Sequence, residues 1–501
     1  MTKRGVWRKI SRSEIPDGRT CVKSKWVFDI KRSGRFRARI VACGYSQIPG
    51  VDFTKNYSPV VNDVTYQIMI IAMIIWSMNG KLVDVETAFL YGDLDEEIFM
   101  ECPDGMRSSR NECLRLNKSI YGLVQAARSW NKKIVEILKK KGFKGGMADP
   151  CLWTRTTEKG TVFLGIYVDD NLIVGNESAI KEAIESLKEE GLILKVDDSL
   201  NDYLSCEILF SENKDMAWIG QPHLIKKMEE KFGHLYGDLQ TYMMPGTPGF
   251  RVIRPKDGED MIGKHDQKLN RSGVGMLLFL VKHLRPDIAN SVRELSKVLD
   301  GAHPAAFKEM LRVMRYVSDT KDLGLKIQPN KNEDEMWDIV VYTDSDYAGD
   351  EDTRISVSGF VIYVMGVPVC WKSKAQNHVT LSSSEAEFVA LSEAAKEIKF
   401  VVQILESMDI KVKKPVIVRV DNNGAIFMSE NVAATGKTKH MDIRYHFVRE
   451  FVEDGLIKIV FVKTKENDAD VFTKNLGSDL HSKHSSKMIT WKDDVVNTDK
   501  D

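Results

Sequence analysis

Seven carboxylates in this sequence fall into two sets suited to metal-assisted chemistry. The first is Asp84 with the adjacent pair Asp169 and Asp170. The second is Asp344, Glu387, Asp421 and Asp470. Carboxylates held close together repel, and a divalent cation relieves that repulsion. Mg²⁺ takes one or two carboxylates and completes its shell with water and substrate phosphates. Two such ions about 3.5–4 Å apart serve the attacking and leaving oxygens of a phosphoryl transfer. Each acid also has a local reading. Adjacent Asp residues at a hairpin tip are common turn formers. Ser384-x-x-Glu387 has the form of a capping box. Asp421-Asn422-Asn423-Gly424 is turn-like, and Asp470 suits a helix N-terminus.

The elements that must position these acids follow from hydrophobic periodicity. A helix is expected from Asp63 to Met78, apolar on most faces, then a short strand from Leu82 to Val85 that contains Asp84. Leu123 to Lys141 reads as a helix, with Val124, Ala127, Trp130, Ile134, Ile137 and Leu138 in one stripe. Thr161–Val168 and Leu172–Val174 read as a hairpin with Asp169-Asp170 at its tip. A strand is expected at Tyr203–Phe210, a loop-rich boundary at Met244–Lys268, and helices at Ser272–Leu284, Ile288–Leu299 and Pro304–Ser318. From Trp337 the order becomes three strands, a long helix from Ser384 to Met408, a strand, a helix, a further helix at His446–Glu453, a strand and a last short helix at Asp468–Thr473. That is a compact α/β order. In it the second set of acids follows a first strand, opens the long helix, ends a fourth strand and begins the last helix. After Leu476 the chain reads as a polar, frayed tail.

Length and composition narrow the class. A chain of 501 residues suggests about three domains. With 72 Lys+Arg and 72 Asp+Glu the formal charge is zero, yet the first 44 residues hold 13 Lys/Arg against Glu14, Asp17 and Asp29. A local basic segment of this kind suits a polyanion. Seven Cys at irregular spacing, with no Cys-x-x-Cys pair, argue against a disulfide framework or a zinc site and favour a reducing compartment. The apolar run Ile68–Trp76 falls far short of the roughly 20 residues that span a bilayer. There is no Gly-x-x-x-x-Gly-Lys-Ser/Thr loop and no His-Glu-x-x-His, which argues against a P-loop NTPase or a zincin.

Tyr167-Val168-Asp169-Asp170 at a hairpin tip resembles the palm signature of reverse transcriptases. Further motifs narrow the resemblance to copia-type LTR retrotransposon Pol polyproteins. They are Asp84-Val85-Glu86-Thr87-Ala88-Phe89-Leu90-Tyr91-Gly92, Arg37-Ala38-Arg39-Ile40-Val41-Ala42, Ser58-Pro59-Val60, and Lys118-Ser119-Ile120-Tyr121-Gly122-Leu123-Val124-Gln125. Arg285-Pro286-Asp287-Ile288 and Arg315-Tyr316-Val317 match on the thumb side. Thr343-Asp344-Ser345-Asp346, Ser384-Glu385-Ala386-Glu387-Phe388, Val420-Asp421-Asn422 and Asp468-Ala469-Asp470-Val471 resemble the RNase H part. The likeness runs from Trp26 to Leu476.

The resemblance implies an α+β fold: a right-hand polymerase (fingers, palm, thumb) followed by an α/β RNase H-like domain. The implied divisions are 1–215 for fingers and palm, 216–330 for thumb and linking segment, 336–480 for RNase H, and 481–501 for a polar tail. It implies Asp84, Asp169 and Asp170 as polymerase metal ligands. It implies Asp344, Glu387, Asp421 and Asp470 as those of the nuclease. Mg²⁺ would be the metal, two ions per site, with Mn²⁺ an alternative. Asp344 is preferred to Asp346 because it ends the strand. Glu387 is preferred to Glu385 because Glu-aromatic-x-Ala is the wider pattern. Phe89 would exclude a ribose 2′-hydroxyl, and Gln125 would lie near the template–nucleotide pocket. Arg37 and Arg39 would meet phosphate, a solvated strand face being the other reading. His440 also matches a family motif, a satisfied surface histidine being its alternative.

The implied partners are RNA template, DNA primer, RNA–DNA hybrid and dNTPs, without a membrane, and with integrase or capsid of the parent element. The implied location is the cytoplasm, within virus-like particles, with nuclear entry of the complex. The sequence departs from the family pattern at Cys43 and Gln67, which stand where basic residues are usual. It departs again at Ser205, where a Gly normally admits the primer backbone. No Asp-Ser/Thr-Gly triplet and no His-His-Cys-Cys zinc site precede the polymerase motifs. Two readings follow: an active C-terminal part of a polyprotein, or a truncated copy that binds nucleic acid without catalysis.

Overall fold

A computed structural model of the chain describes all residues except 2–3, 31–33, 202, 257–259, 332–334, 431–438 and 497–501. The described residues form two compact units: Met1–Asn62 with Asn79–Ser199, and Asp63–Met78 with Leu200–Asp501. Among them no helix is long and apolar enough to cross a membrane.

The first unit is built on a six-stranded sheet in the order Leu194–Asp197, Asn79–Val85, Asp170–Gly175, Gly160–Tyr167, Leu152–Thr157, Lys144–Gly145. The helices Ala126–Lys140 and Glu177–Lys188 contribute to its core. Trp130, Ile134, Ile137 and Leu138 recur at helical spacing and are buried, as the stripe predicts. Beside this lie a four-stranded sheet (Trp7–Ser11, Glu112–Lys118, Asp93–Met100, Cys21–Val22) and a two-stranded ribbon of Ser24–Ile30 with Phe36–Ala42.

The second unit contains a five-stranded sheet in the order Val367–Ala375, Val357–Val364, Ile339–Asp346, Val416–Val420, Ile457–Phe461. The first three strands are antiparallel neighbours, while the last two run parallel to the centre. The helix Ser383–Ser407 packs on this sheet and supplies the crossover that a parallel pair requires. Four helices, Pro222–Tyr236, Lys264–His283, Ala289–Ser296 and Pro304–Asp319, share a core that includes Met228, Phe232, Leu277, Met310 and Val313. The α+β polymerase-like and α/β RNase H-like order expected from the sequence is the order observed.

Two expectations are corrected. The described residues after Leu476 are not a frayed tail. Ser478–Ser485 is a helix, and Ile489–Trp491 pairs antiparallel with Leu323–Ile327, completing a four-stranded sheet with Glu207–Phe210 and Ala217–Gly220. A buried carboxylate organises this end: Asp468 is bonded to His484 Nδ1 at 2.9 Å, Lys487 Nζ at 2.6 Å and the Tyr363 hydroxyl at 3.2 Å. Paired this way, its burial is tolerated.

Residues 63–78 pack in the second unit with the described residues from Leu200 onward. The helix Lys264–His283 begins eight residues before the expected Ser272, inside the stretch expected to be loop. The Arg285-Pro286-Asp287 motif is structural. Arg285 and Asp287 form a fully buried two-pronged ion pair at 2.8 and 2.9 Å, closed by the Tyr316 hydroxyl at 3.1 Å and by Thr320.

Candidate active sites

The first set of acids is assembled by strand register. Tyr167 is opposite Asp170, so Val168 and Asp169 form a two-residue hairpin turn. Val168 sits at φ +55, unusual for a β-branched residue. Its carbonyl accepts from Trp130 Nε1 at 2.6 Å, which holds the strained turn. Asp170 lies directly opposite Asp84, and Val85 N–H donates to the Asp169 carbonyl at 2.9 Å. Like charges directly opposite on neighbouring strands are destabilising. Asp84 and Asp169 are half-buried, and Asp170 is exposed.

Tyr121 stands beside these acids. Burial is the main cause pushing its phenol up to about 12, with Asp169 and Asp84 adding to the rise and Arg37 opposing it. The Phe89 ring meets Tyr121 edge-on, centroids 4.6 Å apart, and the Arg39 guanidinium lies 5.6 Å over the Tyr121 ring. Phe89, Arg37 and Arg39 are therefore gathered around one tyrosine next to the acids. Gly122 makes this possible. Its φ is +90, and a Cβ there would stand 2.0 Å from the Ala42 carbonyl oxygen. Ala42 N–H donates to the Tyr121 carbonyl at 2.8 Å across the same contact.

Gln125 does not join them. It is buried, accepts from Gln47 Nε2 at 2.9 Å and donates to the Asp52 carbonyl at 2.8 Å. Its amide is used inside the fold, where it supports the turn before Ala126.

The second set converges more tightly. Ligating atoms of Asp344, Glu387 and Asp421 all lie within 4.8 Å of one another, the only such group among the described residues. Asp344 is in the central strand opposite Gly359. A Cβ at Gly359 would stand 2.7 Å from Thr473 Cγ2 and 2.8 Å from Phe472 Cβ, so glycine admits the Asp468–Phe472 turn that carries Asp470. Asn467 pins that turn by donating to the Thr343 carbonyl at 2.9 Å and capping Ala469 N–H at 3.1 Å. Glu387 Oε1 accepts from Ser345 N–H at 3.0 Å and from its hydroxyl at 3.1 Å. Glu387 Oε2 is buried without a hydrogen-bond partner. An orphaned carboxylate oxygen beside two further carboxylates suits a cation.

Burial first, then neighbouring acids, raises the carboxyls of Glu387 and Asp470, Asp470 to about 7. Asp344 is raised by burial against the pull of Lys474. Lys474 was not singled out by the sequence reading. It lies 3.0 Å from Asp470 and 3.8 Å from Asp344. Burial works against its charge, but the two acids more than offset this and hold its pKa above the ordinary lysine range. The Thr473 hydroxyl donates to Asp344. Thr473 and Lys474 follow Asp470 at i+3 and i+4, a helical spacing that links them to Asp470 but not to Asp344.

Asp346 pairs with Arg251 at 2.6 Å, outside the cluster. Glu385, not Glu387, belongs to the cap. Ser382 Oγ accepts from Glu385 N–H at 3.1 Å, and Glu385 accepts from Leu381 N–H at 2.7 Å. His440 lies on the helix Lys439–Glu453, but its side chain is outside the described residues. Ser205 is exposed with φ +65, following Leu204 at φ +51. The backbone keeps a left-handed conformation where the family pattern has Gly.

A family model described as reverse transcriptase (RNA-dependent DNA polymerase) matches residues 5–244. The retrovirus-related Pol polyprotein from transposon TNT 1-94 of Nicotiana tabacum is 31% identical over 497 residues, covering 95% of this chain and 36% of that protein. The one from transposon RE1 of Arabidopsis thaliana is 28% identical, covering 94% and 32%. A transposon Ty5-1 protein of Saccharomyces cerevisiae is 30% identical over 319 residues, covering 63% of this chain and 100% of that protein. The chain spans about a third of the length of the Pol polyproteins it matches. Among solved structures, the foamy viral protease–reverse transcriptase in complex with RNA/DNA hybrid is 12% identical, with a TM-score of 0.46, covering 92% of this chain and 52% of that one. LC11-RNase H1 is 20% identical, with a TM-score of 0.22, covering 27% and 92%.

Proposed function

Because the chain belongs to the reverse transcriptases of copia-type LTR retrotransposon Pol polyproteins, we propose that it is an RNA-directed DNA polymerase joined to an RNase H. The polymerase ligands are Asp84, Asp169 and Asp170, and the nuclease ligands are Asp344, Glu387, Asp421 and Asp470. The observation that carries the reading is the register placing Asp170 opposite Asp84 with Asp169 at the turn. Bound Mg²⁺, or Mn²⁺ in its place, would activate the attacking oxygen and stabilise the leaving one.

The chain's own groups bind and orient. Arg37 and Arg39 hold phosphate through charge-assisted hydrogen bonds. Phe89, braced by Tyr121, stands against a ribose 2′-hydroxyl. In the nuclease, Ser345 orients Glu387, and Lys474 balances charge at Asp344 and Asp470. The substrates are RNA template, DNA primer, dNTPs and the resulting hybrid, with integrase or capsid of the parent element as further partners. The work takes place in the cytoplasm within particles, before nuclear entry.

Primer extension on poly(rA)/oligo(dT) with Mg²⁺ and dTTP, with labelled RNA in the same tube, tests both activities. Asp169→Asn should lose extension and keep cleavage, and Asp421→Asn the reverse. Each loss should exceed the about 10–100-fold cost of removing an outer-shell partner of a metal. Loss of both activities in either variant would contradict two separate sites.

The left-handed Ser205 favours a second reading, a folded copy that binds nucleic acid without catalysis. Left-handed backbone costs a non-glycine residue about 1–2 kcal/mol, partly offset by the freer unfolded chain of a Gly variant. Ser205→Gly should therefore raise the denaturant midpoint by about 0.5–1 kcal/mol of stability. On the second reading the parent does not extend a primer, and Ser205→Gly restores extension.

A further inference from the structure

Asp470 stands apart from the other three acids of the nuclease set. Asp344, Glu387 and Asp421 bring ligating atoms within 4.8 Å of one another, and Asp470 is outside that group. It faces a cation of the chain instead. Lys474 Nζ lies 3.0 Å from Asp470 Oδ1 and 3.8 Å from Asp344 Oδ2. One ammonium therefore bridges the separate acid to the cluster, which is what a divalent ion would otherwise do.

The turn fixes where that ammonium reaches. The N–H groups of Thr473 and Lys474 both donate to the Asp470 carbonyl at 3.2 Å, so one turn carries acid and amine. Asn475 fastens the turn from the other side. Its Oδ1 accepts from Asn290 Nδ2 and Ser291 Oγ, each at 2.9 Å, and its Nδ2 donates to the Thr247 carbonyl at 3.3 Å. The backbone of Lys474 is held, and its flexible four-carbon stem is left to move. Its side chain is 38% exposed, against 3% for Asp344 and 4% for Asp470. The ammonium has a way out to solvent, and the buried acids do not follow it.

Charge sets when it leaves. The four acids, when ionised, and Lys474 sum to −3. One divalent ion brings the site to −1. A second, with Lys474 still in place, brings it to +1, and cations then repel one another across a largely buried site. The phosphate of a bound hybrid adds the missing negative charge.

We propose that Lys474 stands in for one of the two divalent ions of the nuclease. It holds Asp470 in the free chain, leaves Asp344, Glu387 and Asp421 to bind one ion, and gives Asp470 up to a second only when a hybrid is bound. The inference rests on the nuclease reading above.

The test counts bound Mn²⁺ by electron paramagnetic resonance during titration of the full chain. Ions lost on adding Asp421→Asn to each chain are assigned to the nuclease, so those at the polymerase acids cancel. The free parent should hold one nuclease ion, and Lys474→Met and Lys474→Gln two. The parent should also hold two when bound to an uncleavable hybrid with 2′-fluoro in place of the 2′-hydroxyl. The second ion should bind Lys474→Met at least about tenfold more tightly than the free parent, the scale of removing one adjacent like charge. Lys474→Arg should keep the parent's count.

Two nuclease ions in the free parent overturn the stand-in and leave the nuclease reading intact. So does a single ion in either folded neutral variant, or a hybrid-bound parent that gains none. If Asp421→Asn removes no ion from any of these chains, the nuclease reading itself fails.

Discussion

Glu387 illustrates what a metal-ready site costs when metal is absent. One oxygen accepts two bonds from Ser345, and the other is buried without a partner among like charges. A carboxyl whose folded pKa lies above its unfolded value binds more protons when folded, so stability falls as pH rises between the two values. For Asp470 that window runs from 3.8 to about 7. In EDTA the thermal midpoint should fall between about pH 4 and about pH 7, and Mg²⁺ should remove most of the decline. Glu387→Gln should raise the midpoint at the upper pH while abolishing RNA cleavage. A midpoint that climbs through this window in EDTA would contradict the clustering. The grouping of Asp344, Glu387 and Asp421 was legible in the sequence because each sits in a short local motif. Lys474 was not, because its role depends on a turn brought to the sheet from over a hundred residues along the chain. The burial of Gln125 was not legible, because it is set by Gln47 and Asp52, which no local pattern links to it.

At the scale of elements, two glycines act as spacers that bring acids and their supports into contact. Gly122 lets the Tyr121 turn meet the base of the ribbon, and Gly359 lets the Asp468–Phe472 turn lie on the central sheet. Gly122→Ala combines a positive φ with a backbone clash and should destabilise by at least about 2–3 kcal/mol. It should reduce extension and spare cleavage. Gly359→Ala meets Thr473 and Phe472, and should reduce cleavage and spare extension. Assaying both variants for both activities checks this, and a crossed result would break the assignment of each glycine to its site. The long helices and the hairpin were readable from period and turn residues. The early start of Lys264–His283 was not, because its first two turns, Lys264 to Arg271, are mostly polar and carry little periodicity. The strand Ile489–Trp491 is only three residues long, and its pairing with Leu323–Ile327 decides its existence.

At the scale of the whole molecule, the second unit depends on its last residues. A chain ending at Leu476 would lose the edge strand and leave Asp468 buried without His484 or Lys487. Stranding a buried charge costs about 3–5 kcal/mol. Limited proteolysis should find the second unit cut rapidly in such a chain and the first unit still resistant. Equal resistance of both would contradict the integrated end. The first unit is discontinuous, because the helix Asp63–Ile75 belongs to the second. Every residue from Val64 to Ile74 in that helix is buried, and it packs on Val367–Ala375 and Ser383–Ser407. Those partners are synthesised about 300 residues later, which is about 15–60 s of ribosome time at about 5–20 residues per second. Through that interval a nascent apolar helix waits without its seat, and whatever shelters it during translation governs how much of this protein a cell can make.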